Sequence, residues 1–331
     1  MKPATIKIFG IVLLASFLLG SLFGCSGRSE RGERFRQWMT PNGKVKILSS
    51  IAQIGDLVEE IGSDRVDNWV LISGDLDPHS YELVKGDDEK ISRADALFYN
   101  GLGLEHGASL SQGFYRHPHS LAIGEAIKER APGQIIRTKQ SEDPHIWMDI
   151  SLWMEGVDPI VEMLTVVDPE NALFYRERGA LLKEKMGAAH REIESDLQNI
   201  SSEKRYLVTS HDAFHYFTRS YLGDRSKPDD WRERFAAPEG LAPDGQLNPV
   251  DIAFLIDYLK KHQVSILFPE SNVSRDSIKK IVSAGREMGL KLTISSDVLY
   301  GDAMDKKGEM RYLDMMRHNA DVMVRHWGES P

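Results

Sequence analysis

Cysteine is almost missing from this chain. Cys25 is the only one in 331 residues, so no disulfide can form within the molecule. Positive charge is also in deficit. Lys and Arg number 41 against 50 Asp and Glu, a formal net charge of −9, which argues against nucleic acid as a partner and suits a cation. No tandem repeat of solenoid length is present, which removes the repeat architectures. Neither His-Glu-x-x-His nor G-x-S-x-G occurs, and no cysteine follows position 25, so the common hydrolase signatures are absent.

What is present begins at the N-terminus. Lys2 and Lys7 flank the start of an apolar run without charge over residues 8–24, and a polar stretch follows from Ser26, which is the form of an export signal. Leu22-Phe23-Gly24-Cys25 resembles the lipobox of bacterial lipoproteins, implying a cleaved signal peptide over residues 1–24 and acylation at Cys25. The plainer alternatives are a single transmembrane helix, or simple cleavage beside an incidental thiol. Residues 25–44, rich in Arg, Glu, Ser and Gly, read as a flexible tether.

From residue 45 the chain is long enough for two lobes with buried cores. Short apolar runs such as Val45-Lys46-Ile47-Leu48, Trp69-Val70-Leu71-Ile72 and Ala96-Leu97-Phe98-Tyr99 alternate with helical stretches. This predicts βαβ units and a mostly parallel sheet over residues 45–167. Asp168 and Pro169 then suit the N-cap and first turn of a helix, and a stripe of Leu173, Tyr175, Leu181, Leu182, Met186, Ile193 and Leu197 carries it to about residue 200. At that length it would span roughly 45 Å, enough to run along both lobes. The alternation resumes over residues 201–331 with runs at 206–209, 264–268 and 292–294. A Gly- and Pro-rich surface excursion, residues 236–249, separates the first two, and an amphipathic helix over residues 310–326 follows the last. The expected fold is therefore α/β: two lobes, each a mostly parallel sheet flanked by helices, joined by one long backbone helix.

Asp-Pro-His occurs twice, as Asp77-Pro78-His79 and Asp143-Pro144-His145. Proline fixes its own φ and holds the preceding residue extended, so each imidazole sits on a stiff turn. In open parallel sheets ligands bind beyond the carboxyl ends of the strands, and there the second lobe offers His211, Glu270 and Asp297. Three imidazoles and one aspartate can close a tetrahedral or slightly expanded shell around a divalent transition metal. Glu270 could touch that shell, orient an imidazole from behind, or cap a helix and pair with Arg275.

Four blocks carry a family resemblance. They are Asp77-Pro78-His79-Ser80-Tyr81-Glu82, continued by residues 94–105; Asp143-Pro144-His145-Ile146-Trp147-Met148-Asp149; Val208-Thr209-Ser210-His211-Asp212-Ala213-Phe214; and Ser295-Ser296-Asp297-Val298-Leu299. Over about residues 45–328 the chain resembles the metal-binding receptors of cluster A-I ABC importers, the TroA-like or ZnuA-like family. The proline-rich insertion before Asn248 is similar to that of an iron-linked branch. The resemblance implies His79, His145, His211 and Asp297 as direct ligands of one transported ion of iron, manganese or zinc. It also implies a permease and its ATPase as partners, a periplasmic or envelope location, a monomeric receptor, and no enzymatic activity. His211 is the residue more usual in zinc receptors, whereas the long His-rich loop common in those receptors is reduced here to His106, His117 and His119.

The remaining histidines have plainer readings. His215, four residues after His211, could share its helix face, but Phe214, Tyr216 and Phe217 make it part of a packed helix. An exported metallohydrolase and a surface adhesin are the competing functions. The long helix leads us to expect that release depends on local rearrangement of the Asp297 loop.

Overall fold

A computed structural model describes residues 26–138, 141–240, 247–305 and 308–328. The chain divides into two compact units, residues 1–44 and residues 45–331. In the first, helix α1 (Ser26–Met39) stands where a flexible tether was expected. Glu33, Arg34, Arg36, Gln37 and Met39 are all good helix formers, and a segment without proline has nothing to stop the helix. The signal-peptide reading and Cys25 fall outside the described residues.

The second unit opens with β1 (Val45–Ile51), α2 (Ala52–Gly62) and β2 (Val66–Ile72). After them come α3 (Asp87–Arg93), β3 (Ala96–Tyr99), α4 (Ala108–Arg116), β4 (Ser120–Ala122) and α5 (Ile123–Arg130). All pairings in this four-stranded sheet are parallel, in the order β2-β1-β3-β4. Because β1 is central it is covered on both faces, and Ile47 and Leu48 are wholly buried, as in a doubly covered parallel sheet. Ile54, Leu57, Val58 and Ile61 recur at helical spacing in α2 and pack it down on β1 and β2.

The chain then crosses through α6 (Ile150–Trp153) and α7 (Val157–Val167) to α8 (Ala172–Gln198). Asp149 caps α6, its carboxylate accepting from the amides of Ser151 and Leu152 at 3.0 and 3.3 Å. The long helix is real and spans about 40 Å, but its start and stripe differ from expectation. Pro169–Asn171 form a separate 3₁₀ turn, and Asp168 does not cap α8; it accepts instead from Asn171 Nδ2 and Tyr175. The buried face is Tyr175, Gly179, Leu182, Met186, Ala189, Ile193 and Leu197, whereas Leu173 and Leu181 are exposed. Steps of three and four residues select that set, and the two leucines lie off it. Gly179 is small because α7 crosses there: a Cβ would lie 2.6 Å from Val161 Cγ2.

The second lobe repeats the grammar with shorter strands. Its elements are β5 (Leu207–Val208), α9 (His215–Phe217), β6 (Phe235–Ala236), α10 (Pro249–Lys261), β7 (Ile266–Leu267), α11 (Asp276–Glu287), β8 (Thr293–Ile294) and α12 (Tyr312–Gly328). Parallel pairs β5-β6 and β7-β8 are joined where the Phe268 amide donates to the Val208 carbonyl at 2.9 Å. Val208, Leu255, Ile256, Leu259, Leu267, Ile278 and Ile281 form their core. The expected excursion begins as strand β6 and ends at Asn248, which caps α10 in a capping box with Asp251; residues 241–246 lie outside the described set. Two α/β lobes with parallel sheets, joined by one long helix, are thus the architecture.

The α8 stripe generates a paired test. Met186→Ala should cost about 2–5 kcal/mol by leaving a cavity in a fully packed face, while Leu181→Ala should stay within roughly 0.5 kcal/mol. Urea denaturation monitored by circular dichroism measures both, and equal losses would refute this assignment of the buried face.

Candidate metal centre

The structure brings together one carboxylate and three imidazoles: His79, His145, His211 and Asp302. Each offers a ligand atom within 4.8 Å of all the others, and all four residues are buried. His79 follows β2 and His211 follows β5, both beyond the carboxyl ends of parallel strands. His145 leads into a 3₁₀ turn, Ile146–Met148. His79 Nε2 lies 3.2 Å from His145 Nε2 and 3.4 Å from Asp302 Oδ2. His145 Nε2 is 3.2 Å from Asp302 Oδ1, and His211 Nε2 is 3.1 Å from Asp302 Oδ2. Among the described residues neither Asp302 oxygen nor His211 Nε2 has a well-formed hydrogen bond. Buried polar atoms left this way call for a partner, and an ion or a water is a usual one.

The two Asp-Pro-His turns share a device. Asp77 Oδ1 accepts from the His79 amide at 2.9 Å, and Asp143 Oδ1 from the His145 amide at 3.0 Å, so each aspartate closes its own turn. Asp143 does more: Oδ1 also lies 2.8 Å from His145 Nδ1, and Oδ2 lies 3.2 Å from His215 Nδ1. Tyr216 donates to the Asp143 carbonyl at 2.9 Å, so α9 of the second lobe grips the second Asp-Pro-His turn. Glu270 does the same for the third imidazole. Its Oε2 sits 2.8 Å from His211 Nδ1, while Oε1 accepts from the Ser210 and His211 amides at 2.9 Å each. In both cases a carboxylate behind Nδ1 keeps the proton there and turns the Nε2 lone pair inward.

Asp297 does not join the cluster. Its carboxylate faces Arg325 Nη1 at 3.0 Å and His326 Nε2 at 3.4 Å, on the partly exposed side. The reason is that pairing outlasts β8: a parallel bridge joins Glu270 to Leu299, carrying the backbone past Asp297 before it turns in. Gly301 permits the turn, since a Cβ there would stand 2.5 Å from Glu270 Oε2. Glycine immediately before an acid, in Tyr300-Gly301-Asp302, is the signal that could have found the residue.

The other candidates resolve as follows. His117 Nε2 and His119 Nδ1 face the carbonyls of Ala94 and Asp95 at 3.1 and 3.0 Å, and His106 Nδ1 faces the Gly103 carbonyl at 3.2 Å. Near Asp297, His326 Nε2 meets both Ser295 Oγ, at 3.1 Å, and Asp297. Both partners fall on one ring nitrogen, so this Ser-His-Asp set has no relay geometry.

Charge coupling follows the distances. Burial opposes protonation of His145, but the carboxylates of Asp302 and Asp143 outweigh it and raise the imidazole from 6.5 to about 9. For His211 burial is again overcome, by Glu270 and Asp302, and the ring titrates well above the usual range. Burial would raise Asp302, yet His211 and His145 hold it well below the ordinary carboxylate range.

Residues 47–326 match the family described as zinc-uptake complex component A, periplasmic. Metal-binding protein YtgA of Chlamydia pneumoniae is 36% identical over 93% of this chain and 91% of its own. Manganese-binding lipoprotein MntA of Bacillus subtilis is 31% identical over 96% of this chain and 98% of its own. The crystal structure of Fe(III)-bound YtgA from Chlamydia trachomatis superposes with a TM-score of 0.81 at 32% identity, covering 87% of this chain and 99% of that one.

The raised imidazole predicts how the metal-free protein responds to pH. A folded-state value of about 9 against 6.5 unfolded means that His145 contributes stability fully below pH 6.5 and loses it as pH rises through 9. Asp302, depressed, contributes above its ordinary value of 3.8 and loses it on acidification below that. Metal-free protein should therefore melt highest between about pH 4 and 6.5, as calorimetry in chelator would show; a melting temperature that climbs from pH 6 to 9 would contradict the coupling. By length and content of its matched residues, the chain belongs to the zinc-uptake complex component A family of periplasmic metal-binding receptors.

Proposed function

We propose that this protein is an extracytoplasmic receptor that captures one divalent transition-metal ion, iron, manganese or zinc, on His79, His145, His211 and Asp302, and delivers it to an ABC permease driven by its ATPase. The observation that carries this is the convergence of four buried ligand atoms within 4.8 Å, backed by family membership. Three neutral nitrogens and one carboxylate suit a borderline transition ion better than calcium or magnesium, which prefer oxygen. Such a donor set favours zinc over iron and manganese intrinsically, so loading depends on availability and on what the permease accepts. All four donors come from the protein, which fits capture; catalysis usually keeps an open position for water. As a member of this family the chain is a receptor and not an enzyme, and nothing favours the hydrolase or adhesin readings.

Among the described residues no helix is long and apolar enough to cross a membrane. Attachment through acylated Cys25 would keep a monomeric receptor beside its permease, and a mass measurement on envelope-purified protein tests it.

Elemental analysis of natively isolated protein, followed by competition among iron, manganese and zinc, identifies the cargo. His79→Ala, His145→Ala, His211→Ala and Asp302→Ala should each weaken binding by at least about 100-fold, and Asp143→Asn, acting from behind, by about 10- to 100-fold. Asp297→Ala should leave affinity within about 3-fold, because its carboxylate faces Arg325. Loss of binding in Asp297→Ala with retention in Asp302→Ala would reverse the assignment.

Protons compete with the metal for the same nitrogens. With His145 at about 9 in the free protein, affinity should fall as pH drops below 9 and binding at neutral pH should release protons. Calorimetry in buffers of different ionisation enthalpy measures the release, and affinity that is flat from pH 8 to 5 would rule out this shell.

A further inference from the structure

Among the described residues the Asp302 carboxylate faces the three imidazoles at 3.1–3.4 Å, and its aim at them is decided by how its backbone is held. That backbone is held largely from the other lobe. Gln53, on the first turn of α2, is wholly buried, and its Nε2 donates to the carbonyls of Gly301 and Asp302 at 3.3 and 3.1 Å. Trp147, two residues after His145, donates its indole N–H to the same Gly301 carbonyl at 3.0 Å. Tyr312 donates to the Trp147 carbonyl at 2.6 Å and so fixes the strand of contacts from the far side. Further along, Arg311 meets Asp56 Oδ1, Glu59 Oε2 and Glu60 Oε1 of α2 at 2.7, 3.1 and 3.2 Å.

We propose that Gln53 is a positioning residue that fixes Asp302 and thereby sets how long the metal stays bound. This rests on Asp302 being a ligand, as argued above. A primary amide offers two N–H groups at a fixed spread, which lets one side chain hold two successive carbonyls; no apolar residue of that length can do so. Fixing those carbonyls fixes the peptide from which the carboxylate projects, and with it the distance and denticity toward the ion. A carboxylate free to swing would still reach a bound ion, so capture should change little, but each excursion would open the shell and release should quicken.

The test uses the mature full-length protein loaded with cobalt(II) and with zinc. Gln53→Met keeps the length and removes both hydrogen bonds. It should speed release into excess chelator by about 10-fold with little change in the rate of binding, and should alter the visible cobalt spectrum, while metal-free protein stays folded and melts only a few degrees lower, the cost of the two lost hydrogen bonds. Trp147→Phe, which removes the other donor on Gly301, should move release in the same direction, and serves if Gln53→Met does not fold. The wild-type release rate and cobalt spectrum in Gln53→Met, alongside lost binding in Asp302→Ala, would overturn the role given to Gln53 and leave the site intact. Retained binding in Asp302→Ala would overturn the site itself. A metal-free melting temperature that falls in step with the loss of metal would show Gln53 to be a packing residue only, and would also sink the proposal.

Discussion

Four ligand atoms buried within reach of one another, with their lone pairs converging, are the constraint on which the rest of this structure depends. Polar groups removed from water are costly unless something answers them, and among the described residues the Asp302 oxygens and His211 Nε2 face the other members of the cluster and have no hydrogen bond outside it. Only protons or a cation can answer such a set. Without metal the carboxylates of Asp302, Asp143 and Glu270 draw protons onto the imidazoles, which is why His145 and His211 titrate high. A divalent ion replaces those protons with charge of the same sign at the same place, so the surrounding contacts need not be rebuilt.

The rest of the site is bracing behind those donors. Asp143 stands behind His145, Glu270 behind His211, and Gln53 with Trp147 behind the Asp302 peptide. Each brace is buried and itself held: Asp143 by His215 and Tyr216, Glu270 by the Ser210 and His211 amides. Several braces cross between lobes. His215 and Tyr216 reach from the second lobe to the first, and Gln53 reaches from the first to the second. A ligand on one lobe is therefore oriented by a side chain of the other.

How much of this the sequence disclosed depended on the range of the interaction involved. The Asp-Pro-His turns were legible because their geometry is local: proline, the preceding aspartate and the histidine amide settle it within three residues. Parallel strands and the long helix were legible from runs and periodicity, although Leu173 and Leu181 looked core-like and are exposed. His211 could be placed because β5 ends close to it. Asp302 could not, because its place depends on pairing that continues through the bridge from Glu270 to Leu299, and on the close approach of Gly301 to Glu270. Both are contacts between residues some thirty apart, and neither leaves a period or a spacing. The helix in residues 26–39 was missed for another reason: charged residues that make a poor core make a good helix.

These cross-lobe contacts also bear on how the ion leaves. Swinging the lobes apart about α8 would break the Gln53, Trp147 and Tyr216 hydrogen bonds together with the His215 contact and the three Arg311 pairs. Each buried hydrogen bond contributes about 1 kcal/mol net, and more when a partner is left buried and unpaired. Moving the Gly301-Asp302 peptide alone breaks only the bonds from Gln53 and Trp147, and it withdraws the one ligand that carries a negative charge. α8 is itself packed against α2, α7 and α12, so bending it would disturb both cores at once. Local withdrawal of Asp302 therefore disrupts fewer contacts than swinging the lobes, and Asp302 lies five residues beyond Asp297.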